Sequence, residues 1–202
     1  MKLYYSPGAC SLSPHIAFLE AGIPFEKSKV DTKKKLFDGG GDFLKVNGKG
    51  YVPVLELDNG EFLTEGPAIV QYIADKKPES GLMPQAGTME RYRVQEWLNF
   101  ITSELHKAFT PLFRDTTTPE WKQGSRDNLA KRFDWLENEL KGRDYLMGDK
   151  FTVADGYLFT VLNWTKFVDI DLGKWPTLAA YVARVAARPK VQEALKAEGL
   201  LK

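Results

Sequence analysis

Cysteine is almost missing from this 202-residue chain: Cys10 is the only one. No intramolecular disulfide can form, which excludes a secreted disulfide scaffold and fits a reducing compartment, so a cytoplasmic location is expected. Histidine is nearly as scarce, with only His15 and His106. Two histidines and one cysteine far apart in sequence match no ligand spacing, and no metal is expected. No run of about 18 apolar residues occurs, so no membrane span is expected. Pro7 and Gly8 interrupt the first residues before a signal-peptide apolar core could form. Charge of one sign is missing too: 28 Lys and Arg face 27 Asp and Glu, a net of +1. The triplet Lys33-Lys34-Lys35 is too short for a nucleic-acid footprint and reads as a solvated loop. What is present, 43% hydrophobic and 27% charged residues, is the composition of a soluble globular protein long enough for one large domain or two small ones.

The first third and the remainder differ in pattern. Lys2 to Ser6 is a strand candidate rich in aromatic β-formers, broken by Pro7-Gly8-Ala9. Ser11-Leu12-Ser13-Pro14 looks like a helix start, because serine caps and proline is tolerated in the first turn. Gly22 and Pro24 end that helix, and Phe25 to Val30 alternates as a second strand, giving a compact βαβ unit with parallel strands. Residues 31–50 read as loop, with glycines at 39, 40 and 41 and a short helix over Asp42 to Val46. Pro53 to Leu57 and Glu61 to Thr64 flank Asn59-Gly60, a hairpin signal in which both turn residues take positive φ. Pro67 opens a helix carrying Ile69, Val70, Tyr72 and Ile73. Pro78, Gly81, Pro84 and Gly87 mark a linker. Beyond it only helical periods occur: one helix through Val94, Leu98, Ile101, Leu105 and Leu112, one from Trp121 to Leu140, one from Thr152 through Thr165, and one from Pro176 to near Arg188-Pro189. Thr152-Val153-Ala154-Asp155 has the spacing of a capping box. The division predicted is an α/β domain over 1–78, a linker over 79–87 and an all-α domain over 88–202.

Four places carry residue types suited to chemistry. Cys10 lies between a strand and a helix start, where unpaired N–H groups and the helix dipole favour thiolate. With no second cysteine it cannot run a dithiol cycle, though it can form a mixed disulfide with a small thiol. A buried, inert cysteine is the alternative. In Tyr51-Val52-Pro53-Val54, a cis proline would leave the Val52 backbone free to pair with an extended ligand; a plain edge-strand proline is the other reading. Glu65 and Gly66 precede a helix, where a carboxylate can meet an ammonium group and backbone N–H groups can meet a carboxylate, as an amino-acid head group requires; taken alone, these residues read first as simple capping. Asn99, Ser103 and His106 are spaced four then three apart, on one polar stripe of a helix away from the apolar one. His15 is read as structural, and Trp97, Tyr157, Phe159, Trp164 and Trp175 mostly as core.

Together these pieces resemble the glutathione transferases, and specifically the bacterial beta class. The segments that carry the resemblance are Leu3-Tyr4-Tyr5-Ser6-Pro7-Gly8-Ala9-Cys10-Ser11, Gly50-Tyr51-Val52-Pro53, Leu63-Thr64-Glu65-Gly66-Pro67-Ala68-Ile69, Trp97-Leu98-Asn99-Phe100, Ser103-Glu104-Leu105-His106 and Thr152-Val153-Ala154-Asp155. The order covers the whole chain, and transferases of aromatic-degradation pathways, reductive dehalogenases among them, are especially similar. The resemblance implies a thioredoxin-like N-terminal domain followed by an all-α helical domain, in a homodimer, with glutathione as co-substrate and a small hydrophobic electrophile as second substrate. It implies that Cys10, Ser11 and His106 neighbour the glutathione sulfur. Val52, before a cis Pro53 and beside Tyr51, would pair with the cysteinyl portion. Glu65 and the Gly66 amide would hold the γ-glutamyl head group, and Lys35 would reach the glycyl carboxylate. Asn99 would support the ligand from the helical domain, with Ser103 and Glu104 supplied across the dimer and Asp155 a structural cap. The chain departs from the pattern at Gly48, where proline is frequent, and at Gly66, where serine is frequent. The triple glycine would loosen the loop carrying Lys35. The implied chemistry is conjugation or halide displacement. The alternatives are thiol transfer or reductive dehalogenation through a Cys10 mixed disulfide, and a non-catalytic ligandin-like binder.

Overall fold

The computed structural model describes residues 1–201. By compactness the chain forms two units: Met1–Gln85 together with the segment from Arg188 onward, and Ala86–Ala187. The division at 88–202 expected above therefore differs at its end, since the last helix groups with the first unit.

In the first unit, β1 (Lys2–Tyr5) leads into α1 (Leu12–Ala21) and returns as β2 (Glu26–Asp31), parallel to β1. Gly22 ends α1 at φ 65°, with its N–H on Leu19 O and the Ile23 N–H on Phe18 O. That double bond satisfies two orphan carbonyls and needs a residue tolerant of positive φ. Residues 31–50 are not the plain loop expected. The short helix expected over Asp42 to Val46 is present as α2 (Phe43–Val46), but it is preceded by β3 (Leu36–Phe37) and β4 (Gly41–Asp42), two short strands that extend the sheet in the order β4-β3-β2-β1-β5-β6. The glycines build this hairpin rather than loosen it. Gly39 and Gly40 take φ 86° and 81°, and a Cβ on Gly41 would lie 2.1 Å from Phe37 Cζ. The Phe37 ring thus covers Gly41 and joins Tyr4, Val30, Phe43, Val52 and Val54 in the core under the sheet.

The antiparallel pair β5 (Val54–Glu56) and β6 (Phe62–Thr64) closes the other edge. Its turn spans Asp58-Asn59-Gly60, with the Gly60 N–H on Leu57 O and the Leu57 N–H on Glu61 O. Only Gly60 of the Asn-Gly pair takes positive φ, so the connection is a three-residue loop with a bulge instead of the two-residue turn expected. Then α3 (Gly66–Lys76) packs Ile69, Val70, Ile73 and Ala74 inward and lies on α1. Pro189 does not merely stop a helix; it starts another, α9 (Pro189–Ala197), which packs on α1 through Val191 and Ala194. Arg188 forks onto both Glu20 carboxylate oxygens at 2.7 and 2.8 Å.

The second unit is helical. α4 (Met89–Phe100) runs into a π-helical stretch over Ile101–His106, one further turn α5 (Lys107–Phe109) and a 3-10 turn over Thr110–Phe113. The apolar stripe Val94, Leu98, Ile101 and Leu105 is buried as read from the sequence. α6 (Pro119–Glu139) starts two residues before Trp121. α7 (Val153–Leu162) is shorter than expected, because Asn163–Phe167 continues as 3-10 helix, and α8 (Pro176–Ala186) follows. Asp155, fully buried, accepts from Leu146 N–H, Thr152 N–H, Thr152 Oγ1 and Tyr181 OH. Burial pushes its carboxyl above the usual range, and these donors pull against that shift.

Glu137 on α6 caps α8 from outside, accepting from the N–H groups of Thr177 and Leu178, both at 2.9 Å. Burial alone would raise the Glu137 carboxyl, but the Thr177 hydroxyl and these two N–H groups, with Lys141 nearby, hold it below the ordinary range. A depressed carboxylate contributes stability above its unfolded pKa, and that contribution is lost as pH falls through the folded value. Glu137→Gln should therefore cost about 1–2 kcal/mol in denaturant unfolding at pH 7. The difference from the parent should shrink as pH drops below about 4; a gap that stays constant with pH would contradict the capping role of the charge.

Candidate active site

The turn between β1 and α1 is stitched by its own backbone: the Ala9 N–H meets Ser6 O and the Leu12 N–H meets Ala9 O, each at 3.0 Å. Ser11 is completely buried and spends its hydroxyl on Ser6, accepting from Ser6 N–H at 3.0 Å and donating to Ser6 O at 3.1 Å. Its side chain ties the strand end to the helix start and does not face outward with Cys10. Cys10, partly exposed, precedes the α1 N-cap, Ser11, and its S–H donates to the Val52 carbonyl at 3.2 Å. The Val52–Pro53 bond is cis, and Val52 and Pro53 directly precede β5. The first unit thus brings Cys10 and Val52 together across 42 positions of sequence.

Glu65 stands at the N-cap of α3 with φ 68° and ψ 114°, a conformation non-glycine residues rarely adopt and one that clusters at functional sites. The Ala68 and Ile69 N–H groups both bond to Glu65 O at 3.0 Å, which fixes this backbone while the carboxylate stays in solvent. Lys35 is also held at positive φ, 58°, and its Nζ donates to Gly50 O at 2.9 Å. Tyr51 is largely exposed, and its carbonyl accepts from Asn47 Nδ2 at 2.8 Å.

Glu198 was not singled out by the sequence, and no local signal marks it. Its carboxylate is fully buried, accepts the Gly8 N–H at 2.9 Å and meets His15 Nδ1 at 2.8 Å. Lys27 Nζ lies 3.5 Å from His15 Nε2, so the consistent tautomer carries its proton on Nδ1 and donates it to Glu198. His15 is structural, as read, and serves the Cys10 turn through this carboxylate.

In the second unit, Asn99 and Ser103 are exposed, with Ser103 Oγ on Asn99 O at 3.0 Å. Glu104 pairs with Arg132 of its own chain at 2.6 Å. His106 leaves the polar stripe: the π-helical stretch changes the register that a regular 3.6-residue period would give. His106 packs edge-on against Trp164 at 4.8 Å, and its Nδ1 lies 2.7 Å from Tyr157 OH. No group of three or more His, Cys, Asp or Glu side chains among the described residues could hold a metal ion, and no described helix is long and apolar enough to cross a membrane.

A sheet with this order, a cysteine at the head of its first helix facing the carbonyl before a cis-proline, and a separate all-helical unit define a thioredoxin-like protein with a helical C-terminal domain. Residues 8–76 match the family model for the glutathione S-transferase N-terminal domain, and residues 100–189 match that for the C-terminal domain. The chain belongs to the glutathione S-transferase family. It is 48% identical to the glutathione S-transferase GstA of Escherichia coli O157:H7, over 99% of this chain and all of that one. Among solved structures, a ternary complex of BphK, a bacterial GST, aligns with TM-score 0.98 and 56% identity, over 99% of this chain and all of that one. A sphingomonad glutathione S-transferase complexed with glutathione aligns with TM-score 0.96 and 50% identity at the same coverage.

Proposed function

We propose that this glutathione S-transferase binds glutathione along the first unit, from Lys35 through Val52 to Glu65 and Gly66, and directs its sulfur to a small hydrophobic electrophile. The observation that carries the assignment is the Cys10 thiol 3.2 Å from the Val52 carbonyl, at the head of α1. It marks where a cysteinyl backbone pairing with Val52 would set a second sulfur. Glutathione thiol has a pKa near that of free cysteine, about 8.5, so only a few per cent is thiolate at neutral pH. The helix end and neighbouring donors favour the anion there. Attack then forms a carbon–sulfur bond and expels halide, or adds across an activated double bond. The head group lies on Glu65 and the Gly66 N–H, the glycyl carboxylate on Lys35, and Asn99, Ser103, Glu104 and His106 act from the helical unit. The enzyme works as a cytoplasmic homodimer. The loss of a serine hydroxyl at Gly66 costs only about 0.5–1.5 kcal/mol of head-group binding.

The partly exposed Cys10 favours one second reading. Its thiolate would attack glutathione disulfide, form a Cys10–glutathione mixed disulfide and release one glutathione thiolate; a second thiol would then regenerate Cys10. Cys10→Ser separates the two. Titration with reduced glutathione should show one site per chain in parent and variant, and the variant should retain conjugation of a halogenated nitroaromatic within about tenfold. Abolished conjugation with binding intact would move the chemistry to the mixed disulfide. Absence of binding to the parent at millimolar glutathione would sink the assignment.

A further inference from the structure

The two charged side chains placed at the ends of glutathione are both engaged by one turn of the same unit. Lys35 Nζ donates to Gly50 O. One residue earlier, Lys49 Nζ lies 2.5 Å from Glu65 Oε1 and 3.0 Å from Thr64 Oγ1. The turn is braced from beneath. Buried Asn47 accepts the Lys49 N–H on its side-chain oxygen at 3.1 Å, and its carbonyl accepts the Gly50 N–H at 2.8 Å. With its backbone held by Asn47, Lys49 can still withdraw its ammonium from Glu65 by changing side-chain rotamers alone.

A primary ammonium on the Glu65 carboxylate is the contact that an amino-acid head group would make. We infer that Lys49 is a built-in competitor for the head-group site: its ammonium occupies Glu65 until glutathione displaces it, and this sets the affinity of the enzyme for its co-substrate. The inference rests on the assignment of Glu65 in the preceding section. Two ammonium groups drawn to one carboxylate repel each other, so the incoming one must push Lys49 aside or bind less tightly. The pair is exposed, 46% for Lys49 and 69% for Glu65. Pairs of that kind are weak and screened by salt, which is what a displaceable occupant requires. Thr64 offers Lys49 a neutral partner beside the carboxylate.

The test is calorimetric titration of the full chain with reduced glutathione, using Lys49→Met, which keeps the stem and removes the charge, Lys49→Arg, Glu65→Gln and the Lys49→Met/Glu65→Gln pair. Lys49→Met should lower Kd two- to about fivefold, the range an exposed ion pair supplies. Lys49→Arg should stay near the parent, and Lys49→Met should change nothing in the Glu65→Gln background. A weaker Kd for Lys49→Met would overturn the inference by making Lys49 a ligand contact. An unchanged Kd would overturn it by making the pair an idle surface contact. Glu65→Gln binding as tightly as the parent would instead remove Glu65 from the head-group site and take the inference with it.

Discussion

Glu198→Ala will cost about 3–5 kcal/mol in denaturant unfolding, the penalty for taking the shared acceptor away from two buried hydrogen-bond donors. The carboxylate is fully buried against an almost fully buried imidazole. Its loss removes the carboxylate acceptor that the Gly8 N–H and the His15 Nδ1–H share in a buried site. Glu198→Gln keeps an acceptor oxygen for one of these donors and should cost less than half as much. The second consequence is local. Gly8 sits at φ 72°, and a Cβ there would contact Leu200, so the turn before Cys10 is held from the C-terminal segment by both a hydrogen bond and packing. The variant should therefore bind glutathione more weakly even where it is fully folded, as checked by calorimetry well below its unfolding midpoint. A loss under 1 kcal/mol together with unchanged affinity would show that the turn holds its shape without Glu198.

Asp155→Ala should be as damaging in the other unit, at about 4 kcal/mol or more, large enough to lower expression of folded protein. Four donors converge on that one carboxylate, two of them main-chain N–H groups at Leu146 and Thr152. An alanine takes this acceptor from the two N–H groups and the Thr152 hydroxyl at the start of α7 and leaves Tyr181 only the long contact to the Asp155 carbonyl. Asp155→Asn should be milder, because burial already makes the charge costly there and one acceptor oxygen survives. Thermal unfolding followed by circular dichroism would rank the three proteins. Equal midpoints for the alanine and asparagine variants would show that the acceptor itself matters little.

What was legible in the sequence was local. Gly22, Pro67 and the Thr152–Asp155 spacing announce helix ends within four residues, and each does so by a backbone requirement that only a few residue types meet. Cys10 and Val52-Pro53 were legible as places where backbone or thiol would be available, but their contact across the sheet was not. Each also has an ordinary structural meaning, so it was their order along the chain, as a resemblance, that gave them a joint role. The β3–β4 hairpin was missed because two-residue strands leave no alternation to read, and because three glycines look like slack until Phe37 is seen lying over Gly41. The π-helical stretch was missed because it has the composition of an ordinary helix, so the stripe drawn through Asn99, Ser103 and His106 assumed the wrong period. Lys49 and Glu198 were missed for a different reason: the partner that gives each its meaning is 16 residues away in one case and 183 or more in the other.

The packing of α9 on α1 has a consequence for how the protein is made. The sheet and α1 leave the ribosome first, yet the residues that cover α1 and clasp Gly8 and His15 are synthesised after the entire helical unit. Domains generally fold as they emerge, so the second unit can be complete while the first still waits for its final helix. Until Arg188 reaches Glu20, the apolar flank of α1 is open to whatever else is nearby. A fragment ending at the linker would keep the thiol and the cis-proline turn but lack this closing piece, so cutting the chain between its sequence domains would not cut it between its structural ones.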